Sequence, residues 1–120
     1  MPAGDFSFTR STGSYPVWLY PEELEMLDAL AELFGCRRSE AFRTCIRHGL
    51  GELLPPRPDR RERGSAVKYS AVLRPEDIAI ARYLSAEDGV SMAETLRRCI
   101  VALYDDTGDY RRSLKQVPST

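Results

Sequence analysis

The sequence predicts a mainly helical fold with a short β ribbon, laid out as strand–helix–helix twice over. Three observations carry this. The apolar run Tyr15-Pro-Val-Trp-Leu-Tyr-Pro-Glu-Glu-Leu24 stops at a proline and turns into a helical pattern, and it recurs as Tyr69-Ser-Ala-Val-Leu-Arg-Pro-Glu-Asp-Ile78. Pro21 and Pro75 lie 75 − 21 = 54 positions apart, and that offset holds without a gap from Tyr15/Tyr69 to Ile46/Ile100. Along it Leu19/Leu73, Glu22/Glu76, Leu30/Leu84, Gly35/Gly89, Glu40/Glu94, Arg43/Arg97 and Cys45/Cys99 are identical. Finally, one copy spans roughly 40 residues, fewer than usually bury a sufficient core alone, so the two copies are expected to share one.

The elements follow in order. Residues 1–13, rich in Gly, Ser and Thr and without periodicity, read as a flexible arm. Residues 14–20 alternate as a strand. Tyr15, Val17 and Leu19 match Tyr69, Ala71 and Leu73 with two identities, whereas Ser14, Pro16, Trp18 and Tyr20 match Lys68, Ser70, Val72 and Arg74 with none. Core positions in two halves sharing a core should agree, so the first set is expected inside and the second outside. Proline is well placed at the first position of a helix, and Glu22 and Glu23 suit its positive end. Leu24, Leu27, Leu30, Ala31 and Phe34 then form one apolar face, and Gly35 supplies a left-handed stop. In copy two the same helix runs from Pro75 through Ile78, Ala81 and Leu84 to Gly89, its face widened by Ile80 and Tyr83. The second helix of copy one begins near Arg37-Arg38-Ser39-Glu40 and places Phe42, Cys45, Ile46 and Leu50 on its apolar side; that of copy two begins at the capping box Ser91-Met-Ala-Glu94 and places Leu96, Cys99, Ile100 and Leu103 there. The division is thus copy 1 at 14–50, a Pro/Arg-rich linker at 51–67, copy 2 at 68–104 and a C-terminal tail at 105–120.

Composition excludes several classes. No apolar run approaches the roughly 20 residues of a membrane span, so no membrane partner is expected. The opening Met-Pro-Ala-Gly-Asp-Phe lacks a basic patch and an apolar core, which points to the cytoplasm. Three cysteines, Cys36, Cys45 and Cys99, and one histidine, His48, do not assemble a zinc site of set spacing, and no cofactor or metal is expected. Cys45 and Cys99 read as small buried side chains, with a redox switch as the alternative. His48 reads as a surface or satisfied histidine, and with no nucleophile, acid or base clustered in sequence the chain is not expected to be an enzyme. A net charge of −1 does not announce a nucleic-acid binder, but charge is segregated: residues 22–32 are acidic, and the linker carries Arg57, Arg60, Arg61 and Arg63.

The ordered set Leu19-Tyr-Pro-Glu-Glu-Leu, Leu27-Asp-Ala-Leu, Gly35-Cys-Arg-Arg-Ser-Glu-Ala-Phe-Arg, matched in copy two from Leu73 to Ile100, resembles the ribbon-helix-helix family of DNA-binding proteins, the Arc/MetJ type. The resemblance covers residues 14–50 and 68–104. It implies an antiparallel ribbon from two copies with four helices closed over its inner face, here within one chain as an intramolecular pseudo-dimer. It also implies that the outer ribbon face enters the major groove of double-stranded DNA. Base contacts would come from Lys68, Ser70 and Val72 of copy two and from Ser14, Pro16 and Trp18 of copy one. Phosphates would sit at the second-helix N-termini, at Arg37, Arg38 and Ser39 and at Ser91, Met92 and Ala93. The linker cations Arg60, Arg61 and Arg63 are candidates for tracking the backbone. The function implied is a sequence-specific transcriptional regulator, most simply a repressor, with further self-association on longer sites open. The alternative is a protein-interaction module on the same fold, an antitoxin or anti-repressor holding a protein partner.

Overall fold

The computed structural model describes residues 13–54 and 65–116. The chain is mainly helical, with one two-stranded antiparallel sheet and five helices. Strand β1 spans Gly13–Leu19 and leads into α1, Pro21–Phe34, and α2, Arg38–His48, which ends in a single 3-10 turn at Gly49–Gly51. Strand β2 spans Val67–Leu73 and leads into α3, Pro75–Asp88, and α4, Met92–Asp106, after which α5 covers Gly108–Gln116.

The strands pair through the whole of both, with Ser14 opposite Val72, Pro16 opposite Ser70 and Trp18 opposite Lys68. Pro16 and Ser70 are the same position in the two copies, so the repeat's own register centres the ribbon on that pair. The alternation works as the sequence expects. Val17, Leu19, Ala71 and Leu73 are buried and Tyr15 and Tyr69 half-buried, while Ser14, Pro16, Trp18, Lys68, Ser70 and Val72 are exposed. Tyr20 departs from the pattern. It is expected outside but is only 3% exposed, because it lies beyond the strand as the cap of α1, where the chain turns inward and the Arg97 guanidinium sits 5.4 Å above its ring centre.

Helix starts and stops are chemically matched between the copies. Pro21 and Pro75 occupy the first turn of α1 and α3. Glu23 and Asp77, three residues after the caps, are fully buried, and each turns its carboxylate back to accept the cap backbone N–H, from Tyr20 at 2.9 Å and from Arg74 at 3.1 Å. Gly35 and Gly89 both sit at φ 66°, the left-handed region where a side chain is strained.

One core receives both copies: Leu27, Leu30, Phe42, Cys45 and Ile46 from the first, Ala81, Leu84, Leu96, Cys99 and Ile100 from the second, capped by the inner ribbon face. The α2–α4 approach is close. A Cβ built on Gly49 would lie 2.8 Å from Cys99 Sγ and 3.1 Å from Leu84 Cδ1, so any larger residue there would force those core side chains to shift. Three expected apolar-face positions are instead exposed: Phe34 at 41%, Leu50 at 52% and Tyr83 at 55%. Phe34 and Leu50 lie at helix ends, where the face rotates past the core, and Tyr83 lies on the far side of the shorter stripe formed by Ala81 and Leu84. The expected break at Asp105–Gly108 also moves. Helix α4 runs on through Asp106, and the tail begins as α5, tied back where the Arg111 guanidinium lies 3.5 Å from the Tyr104 ring centre. Strand β2 starts at Val67, within the segment expected as linker.

Candidate nucleic-acid interface

The outer ribbon face is a small exposed strip of six side chains whose two ends differ. Cross-strand neighbours on one face lie about 4.5–5.5 Å apart, so side chains opposite each other act as pairs. At one end Trp18, 52% exposed, stands beside Lys68; at the other Ser14 stands beside Val72, 41% exposed; Pro16 and Ser70 lie between. One end is thus aromatic and cationic, the other small and apolar.

Each end of the strip is fixed by an arginine from the other copy's second helix. Arg97 on α4 donates to the Trp18 carbonyl at 2.7 Å, and Arg43 on α2 donates to the Val72 carbonyl at 3.2 Å. Arg43 and Arg97 are equivalent in the repeat, as are Trp18 and Val72. These contacts therefore cross between copies reciprocally and hold the outward-facing residues to the helical layer. Arg97 is the more constrained. It is 5% exposed and is also held by Glu94, which takes Arg98 as well. A side chain clamped at this depth orders the backbone it touches, since losing a buried charged hydrogen bond is costly.

The helix N-termini flank the strip. Ser91 caps α4, its Oγ accepting the Glu94 N–H at 3.1 Å, and an open groove beside it is lined by Trp18, Tyr20, Ser91, Ala93 and Arg97. The start of α4 lines this opening together with the exposed indole, and a positive helix end there suits an anion, while the Arg97 guanidinium below it is already engaged by Glu94 and the Trp18 carbonyl. Met92, which begins α4, is partly buried against the core. At α2 the arrangement is different. Arg37 is exposed and makes no side-chain cap; its backbone N–H donates to Glu40 at 3.1 Å. Arg38 is held in a two-pronged ion pair by Asp28, at 2.6 and 2.9 Å, and its guanidinium lies 5.4 Å from the Tyr69 ring centre. That hydrogen bond with Asp28 raises the Arg38 pKa above its ordinary value. Ser39 is half-buried in the same turn. A second groove, beside the Ser14 end, is lined by Ser14, Leu73, Pro75, Ile78 and Arg82. The linker cations Arg60, Arg61 and Arg63 lie outside the described residues.

The structure brings Ser14, Pro16, Trp18, Lys68, Ser70 and Val72 onto one face, with Ser91 beside its Trp18 end. Sequence reasoning missed the clamp arginines: their identity across the repeat was visible, but not that each reaches the other copy's strand. It also missed Arg82, which lines the second groove and whose counterpart in copy one is the acidic Asp28. Among the described residues no helix is long and apolar enough to cross a membrane. No family model, no curated protein and no solved structure matches the chain.

Proposed function

We propose that this chain is a sequence-specific DNA-binding transcriptional regulator of ribbon-helix-helix type, in its simplest form a repressor, with the two copies acting as an intramolecular pseudo-dimer. The observation that carries the reading is the reciprocal clamp: Arg97 on the Trp18 carbonyl and Arg43 on the Val72 carbonyl, at either end of an exposed two-stranded strip. A B-DNA major groove admits such a ribbon. Lys68 would donate to guanine O6 or N7, Ser70 to several base edges, and Trp18 or Val72 would meet a thymine methyl. A phosphate would sit in the groove at the start of α4, against the first-turn N–H groups. Because Trp18/Lys68 and Ser14/Val72 are chemically unlike, the target is asymmetric and not a palindrome.

The experiment is selection from a pool of random duplexes, followed by titration of the enriched sequence. A non-palindromic site is expected, with affinity falling steeply as salt rises. Lys68→Ala should cost roughly 1–3 kcal/mol and relax preference at one position. No enrichment at low salt sinks the proposal. Solution mass with and without that duplex then tests whether a single chain is the binding unit.

A second reading has its own observation. Arg38, a candidate phosphate ligand, is engaged by Asp28, and Trp18 is the kind of exposed aromatic that anchors protein interfaces. A protein-interaction module would retain a stoichiometric protein partner and no duplex.

A further inference from the structure

The ends of α2 and α4 converge on a spot that neither the ribbon nor the flanking grooves use. His48 is the last residue of α2, and Asp106 the last of α4. Glu52 follows the 3-10 turn and is held to it by its backbone N–H on the Gly49 carbonyl at 3.3 Å. His48 Nε2 lies 2.8 Å from Asp106 Oδ2 and 3.8 Å from Glu52 Oε2, and the three donor atoms all lie within 4.8 Å of one another. Nδ1 of His48 is buried with no hydrogen-bond partner among the described residues, and Nε2 is the nitrogen that faces the two carboxylates.

We propose that His48, Glu52 and Asp106 form a binding site for a divalent transition-metal ion of the Zn²⁺ class, joining the second helices of the two copies. Geometry, ligand chemistry and local charge all favour such an ion. Ligands bonded at about 2.0–2.2 Å to one tetrahedral zinc stand roughly 3.3–3.6 Å apart, and the 2.8 and 3.8 Å separations bracket that range. One imidazole with two carboxylates favours zinc, cobalt or nickel over the all-oxygen preference of magnesium or calcium. Electrostatics at this spot also call for a cation. Asp105 and Asp106 occupy the last turn of α4, which holds no basic residue, where the helix dipole is negative and disfavours carboxylates. Among the described residues His48 is the one basic side chain within ion-pair distance of Glu52 or Asp106. Three protein ligands leave a fourth corner for water, as in open zinc sites. This inference does not depend on DNA binding.

His48 is the chain's only histidine, so its imidazole resonances report on this site alone. Zn²⁺ added to the full chain should shift those resonances and raise the thermal midpoint by roughly 5 °C or more near saturation, reversibly with EDTA, while Mg²⁺ does neither. His48→Gln and Asp106→Asn should each weaken Zn²⁺ binding at least about tenfold. Glu52→Gln, at an exposed position, keeps the test open if either of those fails to fold. Cys36→Ser should leave binding intact. The proposal is overturned if the imidazole resonances do not move with Zn²⁺, if the carboxylate variants bind as tightly as the unchanged chain, or if Cys36→Ser abolishes the effect.

Discussion

Arg43 and Arg97 stand at the same place in the two copies and make the same bond, each to the strand of the other copy, yet their surroundings differ. Arg97 is 5% exposed, gripped by Glu94 and laid over Tyr20, whereas Arg43 is half-exposed. Copy two also starts its second helix with a serine cap, where copy one has an arginine without one. A repeat can thus preserve a contact while concentrating its energy in one copy. Copy two supplies the rigid end of the ribbon, where Trp18 and Lys68 stand; copy one holds the other end more loosely.

The largest test of that asymmetry is at the clamps. Arg97→Ala should destabilise the fold by about 2–3 kcal/mol, because it removes buried charged hydrogen bonds from the Trp18 carbonyl and from Glu94, which Arg98 still holds. Arg43→Ala should cost about 1 kcal/mol, the worth of an ordinary net hydrogen bond. Urea midpoints of the two variants check this, and equal losses would remove the asymmetry.

A second test uses the thiols. Burial raises the Cys45 pKa, with the neighbouring Cys99 adding to the effect, and burial followed by the Asp88 charge pushes Cys99 up from 9.0 to about 12. For a group whose folded pKa lies above its unfolded one, the stabilisation is complete below the unfolded value and is lost as pH rises towards the folded value. Stability should therefore decline as pH rises from 9.0 towards about 12, where the unfolded Cys99 thiol ionises and the folded one does not, with Cys45 adding in the same direction. Denaturant midpoints across that window should fall less steeply in Cys99→Ala. Cys36, in the half-buried turn of copy one, should react first with a thiol reagent, while Cys45 and Cys99 wait for unfolding. Equal reactivity of all three would mean the shared core opens readily.

The smallest effect is at the caps. Ser91→Ala should cost about 1 kcal/mol, and Arg37→Ser should return a similar or smaller amount by installing the cap that copy one lacks. Thermal midpoints read both. A destabilising Arg37→Ser would show that the arginine does structural work which the folded chain does not reveal.

Much of the architecture was legible because local rules agreed with one another. Pro21 and Pro75 begin helices because their fixed φ suits a first turn, Gly35 and Gly89 end them because φ 66° suits glycine, and the two identities among Tyr15, Val17 and Leu19 picked out the inward strand face. The six candidate residues on the outer face follow directly from that alternation. The exceptions lie at element ends. Tyr20 reads as outward by alternation, but alternation stops when a strand becomes a helix cap. Leu50 reads as core, but the 3-10 turn changes the angle per residue before it arrives. Helix α5 was missed because Thr107-Gly108 looks like a stop.

From the sequence came the order of the strands and the first four helices, the starts and stops of α1 and α3, and which strand faces turn inward. Those are properties of single residues and of spacing over a few positions. Helix packing, in contrast, sets Arg43 and Arg97 across to the opposite strand, lets Asp28 take Arg38 from the helix end, and brings His48 to Asp106. Each joins residues far apart in the chain through side chains whose partners depend on how two helices are set against one another, and no local period encodes that.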